Sequence, residues 1–326
     1  MRYPSLLLTS IVISQAPFAL AAAKFDFSNE YNATSIHAEG DKYFINQVTK
    51  LSKGDVDITL HTGGSLGFKS TDNFYAVADN AIQIADTLAG SMAGIDPIFL
   101  LSSLPFIVEN EDQAEHLYQI AKPYYQKVFA QNGQILLYAS PWPASGIWSQ
   151  KPVTTKEELA NLKIRTYDKN GTLTLREAGA EPISLSWGDV VPQLSTGGIK
   201  AVLTSADAGA SGKFWEHLDN YSAIQYAIPL NMVHMNKEAF DDLSTEEQSA
   251  ILKAAALTDE HNWQTVRTRV AGNYKELADH KVAIHQDLPK SFINWLHESA
   301  KPSLEEWLED TGKAGSDIMA NFEKNK

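Results

Sequence analysis

The sequence predicts an α/β fold, and two observations predict it. Short β-rich runs alternate with helical stretches along most of the chain, and no internal repeat or low-complexity segment breaks that order. Near residues 244–280 a stretch free of proline favours helix for longer than one compact domain is wide.

In order, Phe25 to Tyr31 reads as a strand, and Thr34 or Ser35 can cap a helix running to Leu51. Val56 to His61 is a second strand, followed by the glycine-rich GGSLG and a helix near Asn73 to Ala81. A short third strand is expected at Ile82 to Ala85. Asn110 to Gln131 is a helix opened by acidic residues that suit the positive end of its dipole. Ile135 to Ala139 is another strand, and Thr155 and Glu158 then stand at capping-box spacing. Strands at Lys163 to Thr166, Pro182 to Leu185 and Lys200 to Thr204 suggest a second α/β unit with mixed or parallel pairing.

Ser244 and Glu247 form another capping box, and the helix they open continues to about His280, interrupted only by Gly272. At ~1.5 Å per residue it exceeds 50 Å, so it should brace two domains, with Gly272 a point where it could bend. A coiled-coil arm is the rival, but Ile251, Leu252, Leu257, Trp263, Val266 and Val270 do not keep a heptad.

The first 23 residues carry Arg2, then an apolar stretch from Leu6 to Ile13, then Ala19, Ala21 and Ala23, the order of a secretory signal peptide cleaved after Ala21 or Ala23. Ser10, Ser14, Gln15 and Pro17 break the run too early for a membrane span. There is no cysteine, which excludes disulfides, thiol nucleophiles and thiolate metal sites together. A formal charge of -13 disfavours nonspecific nucleic-acid binding, which draws its affinity from cations on phosphate. It also makes any local cation informative, because an anion site needs one.

Gly63, Ser65 and Gly67 match G-x-S-x-G, the nucleophile elbow of serine hydrolases, although fewer strands precede Ser65 than an elbow normally has. A plain glycine-rich turn is the competing reading. His37, His61, His234, His261 and His285 are scattered without a paired helical spacing, so no metal site is expected.

Arg165 stands apart. Within KIRTY, alternation puts Lys163, Arg165 and Tyr167 on one side of the strand. An ordinary surface arginine would also fit. Against that reading stand its neighbours: Trp142, Trp148, Trp187 and Trp215 fall in the same quarter of the chain, with the small, polar run LTSADAGASG that holds Thr204 and Asp207. A planar guanidinium matches a carboxylate with two parallel N–H groups, and aromatic walls would exclude water from the pair.

In order along the chain, SNEYNATSIHAEGDKYF, LHTGGSLG, IQIADT, LSSLPFIV, TTKEELANLKIRTYD, PISLSWGDVVPQLSTGG and NKEAFDDLSTEEQSAIL resemble the solute-binding proteins of TRAP transporters, the tripartite ATP-independent periplasmic carriers of organic acids. The resemblance spans nearly the whole mature chain. It implies a two-domain periplasmic binding protein fold with a central cleft, crossing strands and a long helix bridging both domains. Residues 1–23 would be the signal peptide, 24–142 with 230–269 domain I, and 143–229 with 270–326 domain II.

By the same resemblance, Arg165 matches the arginine that pairs with the ligand carboxylate in most members. Trp187 matches an aromatic placed against the ligand, and Thr204 a polar contact. Ser145 corresponds to a variable site that is a second arginine in some sialic-acid binders, so its serine argues against that ligand. Tyr31 and Asp86 fall at strand ends lining the first domain's wall, and Tyr167, Trp148 and Asp207 complete the expected site. Where many members read valine-aspartate-glycine, this chain has Ile199, Lys200 and Ala201.

The implied protein is a monomeric periplasmic receptor of a Gram-negative bacterium, with no cofactor, no metal and no catalysis. Its partners would be a small organic anion and the TRAP permease subunits. The four tryptophans suit an apolar or aromatic acid, while oxo- or hydroxy-acids, sugar acids and sulfonates remain open. An ATP-driven binding protein is the rival within transport, and a hydrolase using Ser65 the rival outside it.

Overall fold

The structure, a computed structural model, describes residues 22–324, so all but the last two residues of the expected signal segment lie outside the described residues. The first half builds β1 (Ala23–Asn29), α1 (Ile36–Leu51), β2 (Val56–His61), α2 (Ser70–Ala78), β3 (Ile84–Leu88), α3 (Glu111–Gln131) and β4 (Gln134–Pro141). Short 3-10 turns at Ala89–Met92 and Pro97–Ser103 follow β3. β1 opens at Ala23, paired with Val56, two residues before the strand read from sequence and inside the segment expected to be removed.

Ser35 rather than Thr34 caps α1, its side chain accepting from the Ala38 amide. α2 starts three residues early because Lys69 and Asp72 form its cap, and it ends before Asn80, which adopts a left-handed backbone (φ 55°). β3 lies two residues further along than expected, buried throughout between β1 and β10 (Leu230–Asn236). All five of its residues are buried, Asp86 and Thr87 included, as in a strand covered on both faces.

The second half builds β5 (Ser145–Ser149), α4 (Lys156–Leu159), β6 (Lys163–Thr166), α5 (Lys169–Glu177), β7 (Glu181–Ser184), α6 (Trp187–Thr196), β8 (Ala201–Ser205), α7 (Ala206–Ser211) and β9 (Asn220–Ser222). After β10 come α8 (Lys237–Asp241), α9 (Thr245–Asp279), β11 (Ala283–His285), α10 (Lys290–Thr311) and α11 (Lys313–Glu323).

Two mixed sheets result. The first runs β2-β1-β3-β10-β4, with β10 antiparallel to both neighbours, and the second β11-β9-β5-β8-β6-β7. The chain passes between them three times, twice as short extended segments and once along α9, which leads from β10 of the first sheet to β11 of the second. Residues 142–144 carry it from β4 into β5, and residues 226–229 bring it back to β10. The two extended crossings are bonded to each other, Trp142 N to Pro229 O at 2.9 Å and Ser145 N to Ala227 O at 2.8 Å.

α9 is a single helix of 35 residues, about 50 Å long, and it continues through Gly272 without a break. Its capping box is formed as read: the Ser244 hydroxyl accepts from the Glu247 amide, and Glu247 accepts from the Ser244 amide. It packs on α1 and β4 beside the first sheet and on α7 and β11 beside the second. α10 packs on α5 but also reaches residues 97–103, where Trp307 Nε1 donates to Pro97 O at 2.9 Å. α11 packs on α3, so the C-terminal segment touches both halves.

Candidate ligand-binding site

Between the two sheets, beside the crossings, ten residues enclose a hollow: Tyr31, Leu88, Trp142, Ser145, Arg165, Tyr167, Trp187, Thr204, Ser205 and Pro229. It holds about 320 Å³ of space between atoms, counted to its open side. Six of the nine residues singled out from sequence are here: Tyr31, Ser145, Arg165, Tyr167, Trp187 and Thr204.

Strand geometry explains the convergence. β5 and β8 pair antiparallel with Ser145 opposite Ser205 and Gly146 opposite Thr204, which brings the start of one strand beside the end of the other. β6 pairs parallel with β8, Arg165 beside Val202, so it delivers Arg165, and Tyr167 just beyond, to the same edge. Trp187 opens α6 and stacks on Phe214 (centroids 5.6 Å apart). From the first half, Tyr31 meets Trp142 edge-on at 4.9 Å and Trp187 at 5.8 Å.

Arg165 is only 4% exposed. Its Nε and Nη2 both donate to the Leu185 carbonyl, at 2.9 and 2.8 Å. That fixes one edge of the guanidinium and leaves the end-on edge, Nη1 with the outer N–H of Nη2, unbonded in a residue that lines the hollow. Among the described residues no carboxylate lies within ion-pair distance of Arg165 and nothing accepts from Nη1. Burial lowers its pKa, opposed by the nearby Tyr31, Glu30, Tyr167 and Asp168. A guanidinium nevertheless stays charged. The Tyr167 ring lies 5.9 Å from its Cζ, and the Tyr167 hydroxyl is 3.4 Å from Ser145 Oγ.

Asp86, Trp148 and Asp207 are not on the wall of this hollow. Asp86 is fully buried beneath it: Oδ1 accepts from Asn231 Nδ2 at 2.7 Å, and Oδ2 accepts from Asn29, which also donates to Asp41. Burial pushes Asp86 up to about 7 and Asp41 well above the usual carboxylate range. Trp148 points the other way along β5, against Phe214 and Tyr221, with its indole N–H on Ser205 O. Asp207 binds Arg269, Asn273 and the Ile36 amide. Nor does Trp215 reach the hollow, since it stacks on His280 (3.8 Å), so two of the four clustered tryptophans form the wall.

Of the wall residues not singled out as ligand contacts, Trp142 carried a signal, its place among the four clustered tryptophans; its indole donates to Asn231 Oδ1 at 2.8 Å. Leu88, Ser205 and Pro229 carried none. Glu30 was also passed over. It is buried, Oε1 accepts from the Ser70 hydroxyl, Oε2 has no hydrogen-bond partner, and burial raises its pKa. Across the opening, Lys69 Nζ meets Asp189 at 2.8 Å, half-exposed on both sides.

The G-x-S-x-G stretch folds as an exposed turn in which Gly63, Gly64 and Gly67 have φ between 65° and 83°. Left-handed backbone explains those glycines without a nucleophile.

A two-domain α/β binding protein with a buried cation between its sheets is the class this geometry defines. Residues 27–310 match the profile of bacterial extracellular solute-binding protein, family 7, and the chain belongs to that family, the TRAP-type solute receptors of organic acids. A solute-binding protein of Albidiferax ferrireducens is 25% identical over 317 residues, covering 89% of this chain and 92% of that one. The ectoine-binding periplasmic protein of Halomonas elongata is 23% identical over 276 residues, covering 82% and 80%. Among solved structures, a Bordetella pertussis extracytoplasmic solute receptor binding pyroglutamic acid superposes with a TM-score of 0.89 at 30% identity, covering 93% of this chain and all of that one. A marine metagenome TRAP protein specific for pyroglutamate gives 0.89 at 26%, covering 94% and all of it. Family members are periplasmic, and no described helix is long and apolar enough to cross a membrane.

Proposed function

We propose that this chain captures a small organic monocarboxylate in the hollow around Arg165 and hands it to a TRAP permease, without transforming it. One observation carries the reading: a buried guanidinium with no carboxylate partner among the described residues, its end-on edge unbonded, lining an aromatic-walled hollow. Burying a charge unpaired is costly, and an anionic ligand supplies the missing partner. Arg165 takes the carboxylate, Trp187, Tyr31 and Tyr167 hold the body of the ligand, and Thr204 and Ser145 meet its polar edge.

The wall offers a single cation, which favours one carboxylate over two. Leu88, Trp142 and Pro229 add apolar surface, suited to a compact ring. A cyclic acid of the pyroglutamate kind fits this description, and two of the structural neighbours bind that compound. The division into residues 24–142 with 230–269 and 143–229 with 270–326 makes the paired crossings near 142 and 230 the hinge. Ligand selects the closed arrangement because only there do both walls touch it. The protein acts as a monomer, exported by its first 23 residues.

A thermal-shift screen of L-pyroglutamate, oxo- and hydroxy-acids, sugar acids and sulfonates tests this. A true ligand at 100 times its Kd adds about 2.7 kcal/mol of stability. No stabilisation by any acid, or equal stabilisation of an Arg165→Ala protein, would overturn the reading.

A further inference from the structure

Asp207 was expected to touch ligand, and the structure gives it other company. It sits two residues beyond the wall residue Ser205, at the start of α7, and is 1% exposed. Its Oδ2 accepts from the amide of Ile36, the first residue of α1, at 3.2 Å. Its Oδ1 accepts from Arg269 Nε at 2.5 Å and from Asn273 Nδ2 at 3.2 Å, both on α9. Arg269 then donates Nη1 to Glu39 and Nη2 to the Thr34 carbonyl, on α1 and the turn before it. At the other end of α7, Asn32 Nδ2 donates to the Ser211 carbonyl at 2.6 Å.

α7 continues from β8 of the second sheet, whereas α1 packs beside β2 of the first. Every bond from α7 to residues 32–39 therefore spans the two halves. A carboxylate facing the amide at a helix start, with a guanidinium on its other oxygen, is a strong charge-assisted contact.

Resting on the receptor reading, we propose that Asp207 is a positioning residue that latches the closed form: it clamps the Thr204–Ser205 end of β8 to the start of α1 through Arg269, and so sets how long the ligand stays. It makes no contact with ligand. Affinity is then divided between Arg165, which holds the anion, and Asp207, which holds the walls around it.

The test uses two readouts on Asp207→Asn and Asp207→Glu. Stopped-flow fluorescence of Trp142 and Trp187 with L-pyroglutamate as probe should show dissociation about tenfold faster in Asp207→Asn, partly restored in Asp207→Glu, with association within about twofold of the parent. The second needs no ligand. Because the chain has no cysteine, an Asn32→Cys, Ser211→Cys pair reports approach of the two halves through its rate of cross-linking by a short bifunctional thiol reagent. Adding Asp207→Asn to that pair should slow cross-linking at least threefold. Rates within twofold of the parent in both measurements, in a folded variant, would overturn the latch. If the probe fails to bind the parent protein, the assignment of that ligand falls and the cross-linking rate alone decides the latch.

Discussion

Replacing Arg165 by methionine should have two effects of unequal size. In the ligand-free protein the substitution removes a buried charge that no carboxylate neutralises, which is a gain. It also strips the half-buried Leu185 carbonyl of both its donors from Nε and Nη2, at a cost no larger than the ~1–3 kcal/mol of an orphaned buried acceptor. These effects oppose each other, so the ligand-free variant should unfold within about 2 °C of wild type, the shift that ~1 kcal/mol produces in a chain of this size. For the bound state nothing offsets the loss. Removing one partner of a desolvated charge pair costs ~2–5 kcal/mol, or about 30- to 4,000-fold in Kd. Arg165→Lys keeps a charge but cannot bond Leu185 and a carboxylate with one planar fork, so it should fall between the two. Calorimetric titration and thermal unfolding of all three proteins, with circular dichroism to confirm folding, measure both arms. A folded Arg165→Met protein with wild-type affinity would refute the assignment of the anion site.

Trp187→Ala should weaken binding by several fold to about a hundredfold, since a buried aromatic contact is worth ~1–3 kcal/mol; titration with unchanged affinity would make Trp187 a packing residue only. Gly209→Ala places a Cβ 2.1 Å from the Trp148 ring, so α7 must shift, and urea unfolding should show a loss of ~1–3 kcal/mol. Asp168, which caps α5 through the Gly171 amide, has its pKa raised by burial from 3.8 to about 6. A carboxyl raised in the folded state binds more protons there than when unfolded, so its contribution is fully present below pH 4 and is lost as pH rises through 6. Asp168→Asn keeps an oxygen for the cap but cannot titrate. Its unfolding free energy, measured at pH 4 and pH 7, should therefore fall less than wild type over that interval, by up to about 3 kcal/mol.

Several elements were legible because their causes are local. Ser244 and Glu247 satisfy each other's backbone donors within one turn, and no proline follows, so α9 could be placed from sequence to within a residue at each end. The bounds of β2 and β6 were read to the residue for a similar reason, alternation or turn chemistry within a few positions. The alternation that put Arg165 and Tyr167 on one side also survived, and both reach the hollow. Strand bounds slipped at β3, where burial on both faces removes the alternation that marks an edge.

What composition and spacing could not supply was which side chains meet. Trp148 and Trp187 look alike in sequence, yet the pairing of β5 with β8 turns Trp148 toward Phe214 and Tyr221, while the start of α6 presents Trp187 to Tyr31 across the gap. Asp86 lies within β3 and Asp207 two residues past the end of β8, both close to the hollow, but one is absorbed by Asn29 and Asn231 and the other by Arg269 and α1. Pro229 joins the wall only because the second crossing lies against the first. The sequence by itself determined the helices that carry a cap signal, α1, α3, α4 and α9, together with most strands and the cation, because those depend on neighbours within a turn or a strand. Tertiary structure alone decided the membership of the site and the latch beside it, because both depend on contacts between residues 20 to 235 positions apart, whose energies no local pattern encodes.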